Sequence, residues 1–371
     1  MHNFAFVGHV LGLKHLARLT KGIKLGIDRI PPRMLESVMP YLPPIQYAQI
    51  GPVTGLTGST VQGSALLCPL MPRHFVSLPS DTVKQKIRDA IALGRRLGAK
   101  IVGLGGLTSV CCDEGREVAD CGVAITSGNT LTAALAIKGI MQAADLLNLD
   151  LKNARLAVIG ATGDIGSAVT RVLAPKVEET IIAARNQDRL NEFADELSGG
   201  GASRISIVKF PREAVQGADI IFSATSAVTT VLDATSLLPG AIVCDVAIPH
   251  DISREVRTLR DDILVFDGGV ATFTPLESLA NNSRWNSLFP NPTQIYGCLA
   301  ETMVLALDGR YENFSIGRGG ITENRISEMW DIAVKHGFSL GDFHCGETMY
   351  SQTEIGKIRG HLRSRRKNLC W

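Results

Sequence analysis

Apolar and polar positions fall in blocks that predict a mixed α/β chain. Phe4 to Val10 reads as a buried strand. Thr82 to Leu97 carries apolar residues at helical spacing with charges between them, which predicts a helix; Lys100 to Leu104 then reads as a buried strand closed by the turn Gly105-Gly106. Asn129 to Leu147 is apolar nearly all round and predicts a long, buried helix. From Ala154 the texture changes. The strand ARLAVIG enters a glycine turn, followed by a helix at Ser167 to Leu173, a strand at Thr180 to Ala184 and a helix at Gln187 to Leu197. Short strands follow at Ile205 to Val208, Ile220 to Ala224, Ala241 to Asp245 and Leu264 to Phe266. Strands alternating with helices predict a parallel, doubly wound sheet.

After Gly268 the pattern loosens until a helix at Thr293 to Leu307, opened by Asn291 as cap and Pro292 at the first helical position. Beyond Phe338 the chain turns polar. Nothing acidic follows Glu354, whereas Lys357, Arg359, Arg363, Arg365, Arg366 and Lys367 do. This composition predicts a disordered, solvated tail; attraction of an acidic carrier protein or an anionic membrane surface is the other reading.

Composition narrows the picture. The 371 residues are 45% apolar and only 5% aromatic, with a formal charge of +2, which argues against the broad basic face of a nucleic-acid binder. Eight scattered cysteines without a CxxC pair fit reduced thiols in a cytoplasm, not a disulfide framework or a zinc site. Cys111 and Cys112, beside Asp113 and Glu114, lack metal-ligand spacing, and no metal is expected. The N-terminus has no signal-peptide layout and no run of eighteen apolar residues occurs, so no transmembrane segment is expected.

The strongest single motif is Gly160-Ala161-Thr162-Gly163-Asp164-Ile165-Gly166, between a strand and a helix. Glycines there let the backbone turn tightly and approach a pyrophosphate, whose charge the free N–H groups of the helix start favour. A glycine turn without a nucleotide remains open, since the spacing is GxxGxxG. The cofactor residues are thus Gly160, Thr162, Gly163, Asp164, Ile165 and Gly166. At the end of the next strand, Arg185 and Asn186 stand where an NAD enzyme commonly places a carboxylate. A guanidinium suits the 2′-phosphate of NADPH, which is the expected cofactor; the alternative is a surface arginine capping the strand. Ser223 and Thr225, ending the fourth strand, are placed near the cofactor by fold analogy only.

The chain resembles the cyanobacterial long-chain acyl-carrier-protein reductases, which supply fatty aldehydes for alkane synthesis. The resemblance rests on FVGHV, Leu104-Gly105-Gly106-Leu107-Thr108-Ser109, Thr126-Ser127-Gly128-Asn129-Thr130, AVIGATGDIGSAV, AARNQDRL, Asp267-Gly268-Gly269, GCLAETMVLALDG, NFSIGR and HGF. It implies NADPH-dependent reduction of a fatty acyl-carrier-protein or acyl-coenzyme A thioester to the aldehyde, through an acyl thioester on Cys298. It further implies a downstream aldehyde-consuming enzyme as partner. From the residues alone, Cys298 lies between one and two turns into an apolar helix, where a cysteine is more often a small core residue than a nucleophile. No base for it is evident unless the fold brings His9, His74 or His250 near. Thr108, Ser109, Ser127, Asn129 and Thr130 stand where loops enter helices and read as oxyanion or substrate contacts, or as ordinary caps.

The expected class is α/β, with a mixed α/β N-terminal substrate domain and a Rossmann-like, doubly wound parallel-sheet NADP-binding domain. The expected boundaries are 1–150 for the substrate domain, 151–275 for the NADP-binding domain, 276–340 for a helical segment carrying Cys298 over the cleft, and 341–371 for the basic polar tail. The acyl chain is expected in an apolar tunnel near the helix after Asn129. Two other functions stay open. One is a shikimate-dehydrogenase-like oxidoreductase, although its paired Lys and Asp are not recognisable in the first half. The other is a catalytically silent NADP-sensing protein.

Overall fold

A computed structural model of the chain describes residues 3–12, 15–16, 31–201, 204–273 and 294–368. The chain forms two compact units. Unit one comprises Met1–Leu131, Ala271–Gly320 and Glu328–Ser339; unit two comprises Thr132–Val270, Ile321–Ser327 and Leu340–Trp371.

Unit one is built on strands β1 (Phe4–His9), β2 (Ile45–Thr54), β3 (Thr60–Cys68), β4 (Ile101–Leu104) and β5 (Ala124–Thr126), in the order β2-β3-β1-β4-β5. β1 pairs in parallel with β3 and β4, β4 pairs in parallel with β5, and β2 joins β3 as an antiparallel hairpin. Every residue of β4 is buried, as expected of a parallel strand covered on both faces. The helix Ser80–Arg96 covers one face. Its Val83, Ile87, Ala90 and Ile91 recur at helical spacing and pack against Ala5, Val7, Val102 and Leu104. Each larger side chain buried there contributes about 1.5–3 kcal/mol by leaving water. The helix Gly297–Leu307 presses on the same sheet so closely that a side chain at Gly103 would lie 1.9 Å from Thr302 Oγ1.

Unit two holds β6 (Arg155–Ile159), β7 (Glu179–Ala183), β8 (Arg204–Val208), β9 (Ile220–Ser223), β10 (Ile242–Asp245) and β11 (Leu264–Asp267). Their order is β11-β10-β9-β6-β7-β8 and every pairing is parallel. The order in which strands are added reverses between β6 and β9, the switch point at which dinucleotide-binding sheets take their ligand. The core on one side joins Ala157, Ile159, Ile221, Val243 and Val265. This is the doubly wound sheet that the alternation of strands and helices foretold.

Two local expectations fail. The helix after the glycine turn begins at Asp164, one turn before Ser167. The last apolar helix runs Gly297–Leu307, because Gln294–Tyr296 is extended and forms strand β13, paired with β12 (Val270–Phe273). The proposed opening pair Asn291 and Pro292 lies outside the described residues, with Thr293.

The basic C-terminus is not a disordered tail over Gln352–Asn368 but a helix. Ser351 and Glu354 form a capping box, in which the Ser351 N–H donates to Glu354 Oε2 at 2.8 Å and the Glu354 N–H to Ser351 Oγ at 3.3 Å. The Ser351 hydroxyl, which donates to Glu354 Oε2 at 2.7 Å, then the Ser351 N–H and the Arg257 guanidinium hold the Glu354 carboxyl down at about 2. Ile355, Ile358 and Leu362 are buried along one stripe, and Leu362 packs onto Gly240. Arg359 donates to the Leu146 carbonyl at 2.7 Å, Arg365 pairs with Asp219, and Lys357 pairs with Asp261. Much of the basic charge is therefore spent inside unit two.

The helix Asn129–Leu147 keeps its expected limits. It is long and apolar enough by composition to cross a membrane, but most of it is buried inside the protein.

Candidate active site and nucleotide turn

Cys298 is the second residue of its helix, not one to two turns inside it. The strand β13 ends at Tyr296, which serves as N-cap without a side-chain cap bond to the first turn, whose backbone N–H groups reach the cysteine. Burial is the largest influence on the thiol and pushes it up to about 12. The N–H groups of Leu299 and Cys298 pull the other way, and the Glu301 carboxylate adds to the rise. The residue as a whole keeps some exposed surface.

Gly128 faces this helix start. Its φ of +74° and the closeness of Cys298 both require glycine: a Cβ would lie 2.1 Å from Cys298 Cα. The structure thus brings Ser127, Asn129 and Thr130 beside Cys298 through the turn that contains Gly128. Their polar groups are engaged internally. Ser127 Oγ donates to the Ser315 carbonyl at 2.5 Å and accepts from the Asn129 N–H at 3.4 Å. Thr130 Oγ1 meets Ser315 Oγ at 2.6 Å, and Ser315 Oγ donates to Glu301 Oε1 at 2.7 Å. Asn129 Nδ2 donates to Glu114 Oε2 at 3.0 Å, which also accepts Ser109 Oγ at 2.6 Å. Thr108 Oγ1 lies 2.9 Å from the Gly105 carbonyl and 3.3 Å from that of Val7. Ser127, Asn129 and Thr130 thus flank the Gly128 turn that rests on Cys298, and Ser109 joins them through Glu114, whereas Thr108 bonds to the Gly105 and Val7 carbonyls. Glu114 and Ser315 both adopt φ of 51°, a conformation non-glycine residues enter rarely.

The histidines are accounted for elsewhere. His9 Nδ1 lies 3.1 Å from the Val10 carbonyl, and its Nε2 accepts the Leu107 N–H at 3.3 Å. Burial lowers its pKa to about 4, so the ring is neutral. His74 Nδ1 accepts the Met71 N–H at 3.0 Å. His250 belongs to unit two, where it lies against Arg254. Among the described residues, neither His9 nor His74 hydrogen-bonds Cys298.

In unit two, β6 runs into Gly160, whose φ is +82° and whose absent Cβ would lie 2.4 Å from the Ala224 carbonyl oxygen. Gly163 is the N-cap of the helix Asp164–Leu173, with no side-chain cap bond. A Cβ at Gly166 would lie 2.2 Å from the Gly160 carbonyl oxygen, so glycine lets helix and turn close together. Thr162 and Ile165 are partly exposed, and Asp164 is buried in the first turn. An uncapped helix start in a cradle kept clear by three glycines fits a dinucleotide pyrophosphate.

Arg185 is exposed and donates to Ser226 Oγ at 3.0 Å. Arg189, in the first turn of the helix Gln187–Gly199, donates to the Thr162 carbonyl at 3.3 Å. Asn186 caps that helix by accepting the Arg189 N–H at 3.0 Å. Ser223 Oγ and Thr225 Oγ1 donate to Asp251 at 2.7 and 2.5 Å, so both hydroxyls are held within unit two. Burial raises the Asp251 carboxyl against these bonds. Sequence reasoning passed over Arg189, Glu114, Glu301 and Ser315. A glutamate alone in the otherwise apolar helix GCLAETMVLAL was the available signal for Glu301.

The family model for shikimate/quinate 5-dehydrogenase matches residues 142–267, the span of β6 to β11. Over that span, which holds the glycine turn, this chain is similar to a dehydrogenase domain. It is similar to "Aminotransferase PigE" of Serratia sp. (strain ATCC 39006), with 32% identity over 296 residues; the match covers 79% of this chain but 34% of that protein. It is also similar to the long-chain acyl-[acyl-carrier-protein] reductase of Synechococcus elongatus, with 29% identity over 350 residues, covering 90% of this chain and 98% of that protein. A glutamyl-tRNA reductase of Alcanivorax borkumensis is 34% identical over 122 residues, 30% of this chain and 28% of that protein.

Proposed function

We propose that the chain reduces a long-chain fatty acyl thioester, on acyl-carrier protein or coenzyme A, to the free aldehyde with NADPH, through an acyl thioester on Cys298. The observation that carries this reading is the position of Cys298 at an uncapped helix start, walled by the Gly128 turn, in a chain similar to an acyl-carrier-protein reductase along nearly all of that protein's length.

The Cys298 sulfur, as thiolate, attacks the thioester carbonyl; its bond to carbon forms as the carrier's carbon–sulfur bond breaks, and the carrier thiol leaves with the proton. The N–H groups of Cys298 and Leu299 favour the thiolate and the oxyanion, offsetting part of the cost of burial. NADPH supplies the hydride that, with one proton, converts the enzyme thioester into aldehyde and free Cys298 thiol. Gly160, Thr162, Gly163, Asp164, Ile165 and Gly166 form the pyrophosphate turn. Arg185, with Arg189 beside it, is suited to the 2′-phosphate. Thr108, Ser109, Ser127, Asn129 and Thr130 set the shape of the wall. The aldehyde is reactive, and its release calls for a partner enzyme that consumes it.

The test is incubation with a long-chain acyl thioester, with intact-protein mass spectrometry on wild type and Cys298→Ala. The expected result is an acyl adduct on wild type, absent from the variant, and aldehyde once NADPH is added. No adduct and no aldehyde, with NADPH still bound, overturns the reading. The match to the shikimate/quinate profile then favours a dehydrogenase acting on an alcohol, tested by NADP reduction with alcohol substrates.

A further inference from the structure

Glu301 is completely buried, three residues after Cys298 on the same helix. A buried carboxylate is costly unless its oxygens are supplied with donors. Here they are, and the donors share a location. Oε1 accepts Thr126 Oγ1 at 2.5 Å and Ser315 Oγ at 2.7 Å, while Oε2 accepts the Leu131 backbone N–H at 2.8 Å. Thr126 and Leu131 are the two ends of the turn whose middle, Gly128, rests on Cys298 Cα. Thr126 Oγ1, aligned by its bond to Glu301, in turn accepts the Gly128 N–H at 3.1 Å. One carboxylate therefore grips both feet of the turn and, through Thr126, its middle.

We propose that Glu301 is a positioning residue for the Cys298 nucleophile: its carboxylate clasps the 126–131 turn at both ends and so fixes the wall against which the acyl group must sit. This rests on the reading of Cys298 as the acyl acceptor. The clasp needs an acceptor at both oxygens. An amide in its place must turn its NH2 either toward the Leu131 N–H, which is itself a donor, or toward hydroxyls now engaged in donating. A carboxylate beside the thiol is intelligible on this basis, since it accepts all three donors without adding a donor of its own.

The experiment uses the full-length chain and three variants: Glu301→Gln, Thr126→Val, and Thr126→Ser as the conservative control. It reads kcat and KM for acyl-thioester reduction, the Kd for NADPH, and the rate of Cys298 alkylation by iodoacetamide against pH, with the modified residue located by peptide mass spectrometry. In Glu301→Gln and Thr126→Val, kcat is expected to fall between about tenfold and a hundredfold, the scale of a misplaced reacting group. KM and the Kd for NADPH should stay near wild type, and Thr126→Ser should recover most of the loss. The alkylation profile of Glu301→Gln should move to lower pH, because a negative neighbour that holds the thiol up is gone.

Wild-type kcat and an unmoved alkylation profile in Glu301→Gln would overturn the proposal. So would losses in kcat matched by equal losses in NADPH binding, which a general weakening of the fold produces. If wild type reduces no acyl thioester, the proposed function fails. The alkylation profile and its response to Thr126→Val and Thr126→Ser then still decide whether the clasp governs Cys298.

Discussion

Two helix starts among the described residues, each reached from a strand, hold a candidate functional group. At Gly163 the helix Asp164–Leu173 follows β6 and its turn; at Tyr296 the helix Gly297–Leu307 follows β13. Neither N-cap supplies a side-chain bond to the first turn. The start at Asn186 differs, since the asparagine itself accepts the Arg189 N–H. A capped start has spent its donors, whereas an uncapped one offers them to a pyrophosphate or a thiolate.

The two uncapped starts differ in how space around them is kept. The nucleotide turn clears its own cradle with Gly160, Gly163 and Gly166, all in one segment. The cysteine start depends on Gly128, which comes from a different part of the chain and lies on Cys298 Cα. One site is written locally; the other is assembled by the fold.

The sharpest way to break this comparison is Gly128→Ala. The methyl group has nowhere to go and the φ of +74° disfavours any side chain. Overpacking and left-handed backbone together predict a loss of about 3 kcal/mol in stability. Thermal unfolding should register it, and Cys298 acylation should disappear. A variant with wild-type Tm and acylation would show that the close approach is wrong. Gly166→Ala is the counterpart in unit two. Its Cβ would meet the Gly160 carbonyl oxygen, so the turn must shift, at a cost of about 1–3 kcal/mol. NADPH affinity should fall by roughly tenfold or more if that strain is felt in the bound state. Cys298 alkylation should stay as in wild type. If alkylation changes with it, the two starts do not act as separate sites.

This difference also explains what could be read in advance. The parallel sheet of unit two was legible because strands buried on both faces leave continuous apolar runs, and the glycine turn lies within a few residues of them. The start at Cys298 was misplaced because Gln294, Ile295 and Tyr296 read as the opening of a helix, while their pairing with β12 depends on remote residues. The proximity of Gly128 to Cys298 and the link from Glu301 to Thr126 and Leu131 are likewise long-range facts. The C-terminal helix is another case, since its signals were present. Ser351 and Glu354 have capping-box spacing, and Ile355, Ile358 and Leu362 form a stripe, but the Arg and Lys content outweighed them.

A smaller effect sharpens the account of the cysteine start. With the thiol pushed up to about 12, it is protonated through the neutral range, and its thiolate fraction rises as pH rises. Between pH 7 and 9 the rate of Cys298 alkylation should climb about tenfold per pH unit without levelling. A plateau near pH 8 would mean that the helix-start N–H groups outweigh burial. The site would then hold a thiolate ready-made instead of forming it as the acyl donor arrives.

The smallest expected effect concerns the cofactor's 2′-phosphate. Arg185 and Arg189 are both exposed, held by single bonds to Ser226 Oγ and the Thr162 carbonyl, and water and salt screen exposed charges. Replacing Arg185 with Ala should weaken NADPH binding by roughly fivefold at low ionic strength and leave NADH binding nearly unchanged. The difference should shrink as salt is added. Equal weakening of both cofactors would place the guanidinium on the pyrophosphate they share, making it part of the same anion site as the helix start at Gly163. No weakening of either would leave Arg189, bonded to the turn itself, as the better candidate for reading the phosphate. The same titration on Arg189→Ala separates these outcomes, because a contact to the shared pyrophosphate changes both affinities and a contact to the 2′-phosphate changes one.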